Sequence, residues 1–178
     1  MTSSLQDIDF VHMGRSCLGL AARRTANLLT RHFNRHMAPL GLELTQCQLL
    51  AAIADSSADS ASGIARSLGI DRSTLARNLK PLEAAGLVTR RKGDGRKVLP
   101  VLTSAGERKV VDIHDTWQRA HAELDDLLGA AGADAVRAHM SALRKAVHTL
   151  EDRALAKTTS GGERHPVSPG RDTRPDRT

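Results

Sequence analysis

Between Ala61 and Gly86 the sequence writes a short helix, stops it, and at once starts another. Ala61 to Leu68 is a helical run followed by Gly69, whose missing Cβ suits the left-handed turn that ends a helix. Asp71 then stands where a carboxylate can accept from the free amides of a new first turn. The second helix runs from about Arg72 to Ala85 and stops at Gly86. Ile64, Leu68, Ile70, Leu75, Leu79 and Leu82 form one small core joining the pair, while the same period leaves Arg72, Ser73, Arg77, Asn78 and Lys80 towards solvent. Two helices joined in this way are a helix-turn-helix. Pro81 removes an amide donor and crowds the Arg77 carbonyl, at about 3 kcal/mol unless compensated. Leu82 continues the apolar row, so a kink is expected there and not an end.

On the N-terminal side, Leu18, Ala22, Ala26, Leu29, Phe33, Met37 and Leu40 recur in steps of three and four, one face of a long helix from Cys17 to Leu40. Pro39 and Gly41 close it, and Thr45 is the expected cap of a short helix from Gln46 to Ala54. After Gly86, Leu87 to Arg91 and Lys97 to Leu102 predict two strands around a tight turn containing Gly93 and Gly95. Pro100 makes the second an edge strand. Thr103 caps a helix from Ser104 to about Gly129, with Ile113, Trp117, Leu124 and Leu128 on its buried side. The last helix, from about Ala133 to Ala156, carries Val136, Met140, Leu143, Val147 and Leu150 at alternating steps of four and three, the seam of a helix that packs on another. That other helix belongs either to the same chain or to a second copy.

Charge narrows the function. From Arg66 to Lys97 nine Lys or Arg face three acids, leaving +6, and the whole chain, with 26 basic and 20 acidic residues, also carries +6. The rest of the chain therefore sums to zero, and the excess sits on the helix pair and the hairpin, the electrostatic footprint of a phosphate-backbone partner. Phe10, Phe33 and Trp117 are the only aromatic residues besides histidine, too few for a platform that stacks single-stranded bases. There is no Gly-x-Ser-x-Gly elbow, no His-Glu-x-x-His pair and no Gly-x-x-x-x-Gly-Lys loop, so no enzyme is expected. The remaining rival is an architectural DNA protein that holds phosphates without reading sequence. No signal peptide, membrane span or disulfide framework is evident, which predicts a soluble cytoplasmic protein.

Leu68 to Val88 (LGIDRSTLARNLKPLEAAGLV), followed by Asp94-Gly-Arg96 and then Leu102-Thr103-Ser-Ala-Gly106, resembles the MarR family of bacterial transcriptional regulators, over about residues 15 to 155. Pro100 departs from that family's ordinary strand residue and points to a shorter wing. The resemblance implies a mainly α fold with a small β-hairpin wing: residues 1–14 flexible, 15–44 and 103–156 a helical dimerisation region, 45–102 the winged helix-turn-helix, and 157–178 a disordered tail. It further implies a homodimer, most simply a repressor, whose recognition helices enter successive major grooves of pseudo-palindromic double-stranded DNA, with half-sites about 34–36 Å apart. Ser73, Thr74, Arg77 and Asn78 are then candidates for base edges or nearby phosphates, with Arg72 and Lys80 on phosphate and Arg90 and Arg91 among the DNA-binding residues. Arg96 at the wing tip matches the family arginine that probes the minor groove, and Asp94 would orient it.

The same resemblance implies a signal that releases the DNA: a small phenolic or aromatic ligand, thiol oxidation or, in a minority, a metal. A pocket beside Trp117 is the default, with Arg24, His36, His114 and Trp117 as candidate lining. Cys17 lies near the start of the first long helix, where the family's peroxide sensors keep their thiol. Ungapped alignment from Gln46 puts that cysteine on Gly19, however, and the tyrosines those sensors use are missing. Cys47 is expected to be buried and structural. His32 and His36 lie four apart and would face one way, with His114 or His121 as a conceivable third ligand. Surface histidines are the simpler reading, and no cofactor is expected.

Overall fold

Every helix in the first part of the chain begins at a group that receives its free amides. The computed structural model describes residues 5–55, 60–92 and 98–160. A 3-10 turn at Leu5–Asp7 precedes α1 (Phe10–Ser16), where Asp9 accepts from the His12 amide at 2.9 Å. Helical structure thus starts within the segment expected to be flexible. Cys17 heads α2 (Leu18–Met37), and a 3-10 turn at Ala38–Leu40 with Gly41 at φ 71° closes it. α3 (Leu44–Ala54) starts two residues earlier than the Thr45 cap implied. Glu43 is its cap residue, donating its own amide to Gln46 Oε1 at 2.9 Å, and Asn34 Oδ1 accepts from the Leu44 amide at 2.7 Å.

The helix-turn-helix follows as α4 (Ala61–Ser67) and α5 (Arg72–Ala84). Ser60 caps the first through the Gly63 amide at 3.0 Å, and Gly69 makes the turn at φ 65°. Ile64, Leu75, Leu79 and Leu82 are buried together, with Leu68 and Ile70 packed against them. The same core takes in Met37, Cys47, Leu49, Leu50, Ile53, Leu87, Val88 and Ile113. α3 lies at its centre, touching α2, α4, α5 and the wing. α5 continues past Pro81 to Ala84, because Leu82 on the next position is buried and holds it in line.

The wing is β1 (Val88–Lys92) paired antiparallel with β2 (Val98–Leu102), in the register Val88 to Leu102, Arg90 to Pro100 and Lys92 to Val98. Both strands of a two-stranded sheet are edges, which is where a strand proline is tolerated. Pro100 is buried and β2 runs through it, so the strand is not cut short there. The helical segment α6 (Ser104–Ser160) is broken at Gly129, whose φ 69° and ψ 157° are not helical. The two helices expected from the sequence therefore meet at that residue. The tail from residue 161 lies outside the described residues.

The chain forms two units, Met1–Leu124 and Asp125–Thr178. In the second, Arg137 pairs with Asp134 at 2.9 Å and Asp125 at 3.6 Å. Val136, Met140, Val147 and Leu150, four of the five seam residues, are between 40 % and 63 % exposed in the single chain.

One junction holds recognition helix, wing and α6 together. Thr103 donates its amide to the Leu87 carbonyl at 3.1 Å and its hydroxyl to the Gly86 carbonyl at 2.6 Å. The same hydroxyl accepts from the Gly106 amide at 3.1 Å, capping α6. Gly106 sits so close that an added Cβ would lie 2.0 Å from the Leu87 carbonyl oxygen. No rotamer relieves a clash between Cβ and backbone. Gly106→Ala should therefore cost about 3 kcal/mol or more, the upper end for overpacking. Urea denaturation measures it, and a loss under about 1 kcal/mol would show that the junction yields.

Candidate nucleic-acid interface

α5 buries one side and offers the other. Leu75, Leu79 and Leu82 point into the core, while Arg72, Ser73, Arg77 and Lys80 are exposed and Thr74 and Asn78 are half-buried. Asp71 caps the helix: it accepts from the Thr74 amide at 2.8 Å, from the Thr74 hydroxyl at 2.8 Å and from the Ser73 hydroxyl. These donors, with the Ser73 hydroxyl contributing most, hold its carboxyl well below the usual carboxylate range. A depressed pKa stabilises the fold above the ordinary carboxylate pKa, and that contribution fades only as pH falls through the lowered value. The cap thus outlasts ordinary carboxylates on acidification.

The candidate base-reading side chains are not equally free. Arg77 is exposed and leans back on the Thr74 hydroxyl at 3.4 Å, a long contact that is readily exchanged. Asn78 donates its side-chain amide to the Thr74 carbonyl at 2.9 Å, so that group is engaged with its own helix.

In the wing, Arg90 is already paired. Its guanidinium meets both Glu83 oxygens, Nε to Oε1 at 2.7 Å and Nη2 to Oε2 at 3.3 Å, and this hydrogen bonding raises the Arg90 pKa further. Arg90, expected among the DNA-binding residues, here clamps β1 to the end of α5. Glu83 was missed as a functional residue, and seven residues of separation across two elements gave no periodic signal for it. Arg91 and Lys92 are exposed. Asp94 and Arg96 lie outside the described residues.

An apolar cavity of about 260 Å³ opens between α2, α3 and α6, lined by Met37, Leu44, Cys47, Gln48, Ala51, Val110, Ile113, His114 and Trp117. His114 and Trp117 were expected there, and Arg24 and His36 are corrections. Arg24 lies thirteen residues before Met37, about 20 Å along the helix axis, and lines a separate hollow with Phe10, Val11 and Leu20. His36 is turned a quarter of the helix away from Met37 and meets Glu123 at 3.1 Å. The Trp117 ring stacks on His121, with centroids 4.8 Å apart, and is 42 % exposed, so it is not the fully buried core residue its row suggested.

The two cysteines differ sharply. Cys17 is exposed at the head of α2, its Sγ accepting from the Leu20 amide at 3.4 Å. Cys47 is buried in the cavity wall, and burial pushes its thiol up to about 11, an unreactive state at neutral pH.

Comparison with known proteins agrees with this geometry. Residues 40–97 match the model of the MarR family. No curated protein sequence gave a match. Among solved structures, the chain is similar to the Mycobacterium tuberculosis transcriptional regulator MosR in complex with DNA, with 28 % identity, TM-score 0.68, and coverage of 76 % of this chain and 98 % of that one. It is similar to the transcriptional repressor CouR bound to a 23-mer DNA duplex, with 25 % identity, TM-score 0.67, and coverage of 73 % and 94 %. CouR bound to p-coumaroyl-CoA, at 24 % identity and TM-score 0.66 over 73 % and 93 %, shares the fold. The match falls on the helix-turn-helix and the start of the wing, and the likeness in fold to solved transcriptional regulators extends over most of the chain: residues 40–97 are similar to the MarR family.

Proposed function

We propose that the chain acts as a homodimeric transcriptional repressor that reads a pseudo-palindromic double-stranded operator with α5 and the wing. The observation that carries this is the split of α5: three leucines locked in a core, and Arg72, Ser73, Arg77 and Lys80 exposed along the opposite face. A rigid helix with its cations outward is the geometry of a major-groove reader. Arg72 and Lys80 would hold phosphate, while Arg77 would reach a base edge, the best match being the O6 and N7 of guanine. Ser73, Thr74 and Asn78 would lie beside it. Arg91, and Arg96 with Asp94, would serve the wing; Arg90 would join them only by leaving Glu83. The likeness to DNA-bound MosR supports this assignment.

Dimerisation is supported by the exposed seam of Val136, Met140, Val147 and Leu150 in the second unit and, separately, by the exposed Leu18 and Leu28 on α2. Residues 15–44 and 103–156 would build the dimer. The effector would be a small aromatic molecule in the cavity beside Trp117. Its apolar walls suit a ring, and Gln48 and His114 are the polar groups at hand. Thiol control is the second reading, favoured by the exposed Cys17 alone. Repeating the binding measurement after mild peroxide separates the two, since a ligand-controlled repressor keeps its affinity. Among the described residues no single helix is long and apolar enough to cross a membrane. A cytoplasmic location is the simplest setting for such a regulator.

Fluorescence anisotropy on DNA from the upstream region, against scrambled DNA at one salt concentration, tests the function. The upstream duplex should win, and Arg77→Ala should lose about 1–3 kcal/mol with relaxed preference at one base pair. Equal affinity for both duplexes would instead mark an architectural protein. Sedimentation should give twice the mass of one chain, and Met140→Glu with Val147→Glu should halve it; a wild-type monomer would sink the dimer. Substituted benzoic acids should quench the single tryptophan, Trp117, and release DNA. Ala51→Leu should remove the quenching and leave DNA affinity intact, whereas unaltered quenching would place the ligand elsewhere.

A further inference from the structure

A second cluster, separate from the cavity and from the DNA-reading face, brings three ligating side chains together. His32 and His36, one turn apart on α2, meet Glu123 of α6, and one donor atom from each lies within 4.8 Å of the others. The sequence offered His114 or His121 as third partner. His114 instead pairs with Asp115 at 3.5 Å, and it is Glu123 that completes the set. All three residues belong to the same unit, Met1–Leu124. We propose that His32, His36 and Glu123 form a binding site for one borderline divalent cation, with Zn²⁺ as the best fit.

The argument begins with the His32 tautomer. Its Nε2 lies 2.9 Å from the Ala120 carbonyl, which can only accept, so Nε2 carries the hydrogen. In the neutral ring Nδ1 is then a bare lone pair, and it faces Glu123 Oε2 at 3.9 Å. Two acceptors facing each other repel unless a proton or a cation lies between them. Orienting a ligating histidine by a hydrogen bond from its far nitrogen to a carbonyl is how protein metal sites fix ring direction and tautomer. His36 presents Nε2 to the same carboxylate oxygen at 3.1 Å, its ring centroid 4.9 Å from that of His32. A cation would replace that hydrogen bond, the His36 hydrogen residing on Nδ1.

Donor type selects the cation. Two imidazoles and one carboxylate suit Zn²⁺ and its first-row neighbours, whereas Mg²⁺ and Ca²⁺ prefer all-oxygen shells. Bonds of about 2.0–2.2 Å put tetrahedral donors about 3.3 Å apart, so the cluster must contract by at most about 1.5 Å. Glu123, with its side chain 57 % exposed, has the freedom to supply that motion, while His32 and His36 are 15 % and 24 % exposed and held. The exposed side leaves room for water as a fourth ligand. None of the three residues lines the aromatic-ligand cavity, so the proposal stands independently of the effector assignment.

The test is a calorimetric titration of the chelator-stripped full chain with Zn²⁺ against a competing chelator, with Co²⁺ absorption reporting coordination. Wild type should bind one Zn²⁺ per chain. Loss of partners that only orient a ligand costs 10–100-fold in affinity, so Glu123→Gln, which removes a ligand, should weaken binding by about 100-fold or more. His148→Ala, which breaks a histidine–glutamate pair that has no third donor nearby among the described residues, should bind as wild type does. Circular dichroism without metal should be the same for all three proteins, since Glu123 is exposed and its loss leaves the fold intact. A wild type that takes up no stoichiometric Zn²⁺, or Glu123→Gln and His36→Asn variants that bind as tightly as wild type, would overturn the site.

Discussion

The Leu87 carbonyl is the point on which the reading head depends. It ends the turn after α5, receives the Thr103 amide across the mouth of the wing, and lies against Gly106 at the start of α6. A buried carbonyl must find a donor, and this one finds it only when helix, hairpin and following helix are in register. The neighbouring Gly86 carbonyl takes the Thr103 hydroxyl, so two successive peptide groups are held by one side chain and its backbone. The angle between wing and α5 is therefore fixed by backbone hydrogen bonds and a missing Cβ, in addition to the shared core and the Arg90–Glu83 pair. Leu-Thr-x-x-Gly at 102–106 is thus a structural device that joins the wing to α5 and α6.

What was legible in the sequence was what repeats along one element. The helix-turn-helix core at Ile64, Leu75, Leu79 and Leu82, the Asp71 cap, the Gly69 turn and the wing strands all follow from local period or local chemistry. What was not legible depends on distance through space. Glu83 and Arg90 are on different elements, so nothing in either run foretold their pairing. Arg24 stands thirteen residues before Met37, and both the turn of the helix and its axial rise carry it away from the cavity. Glu123 lies 87 residues from His36, and only packing of α2 on α6 could bring them together. The start of α3 at Leu44, ahead of Thr45, reflects a cap residue, Glu43, that works through its backbone and Gln46.

The basic window is also more economical than its composition implied. Its two acids within the described residues, Asp71 and Glu83, are both occupied: one receives the first turn of α5 and the other holds Arg90. The Glu83 charge is balanced by Arg90, while Asp71 stays ionised and its charge is spread over the donors of the first turn. Among the described residues, Arg72, Arg77 and Lys80 on α5 have no ion-pair partner, so the face they share is net positive.

The Asp71 cap has a further consequence for what α5 can recognise. A hydroxyl has one hydrogen, and Ser73 and Thr74 have both given theirs to the same carboxylate. In that state the two side chains present lone pairs only, and Thr74 already spends one on Arg77. Phosphate oxygens, which need donors, find none there. In the proposed complex the groups that would match are the exocyclic amines of adenine N6 and cytosine N4 at the floor of a major groove. Capping the helix therefore assigns these two positions a polarity, and in the proposed DNA complex two residues that appear interchangeable with any small polar pair would become a filter for amino-bearing bases.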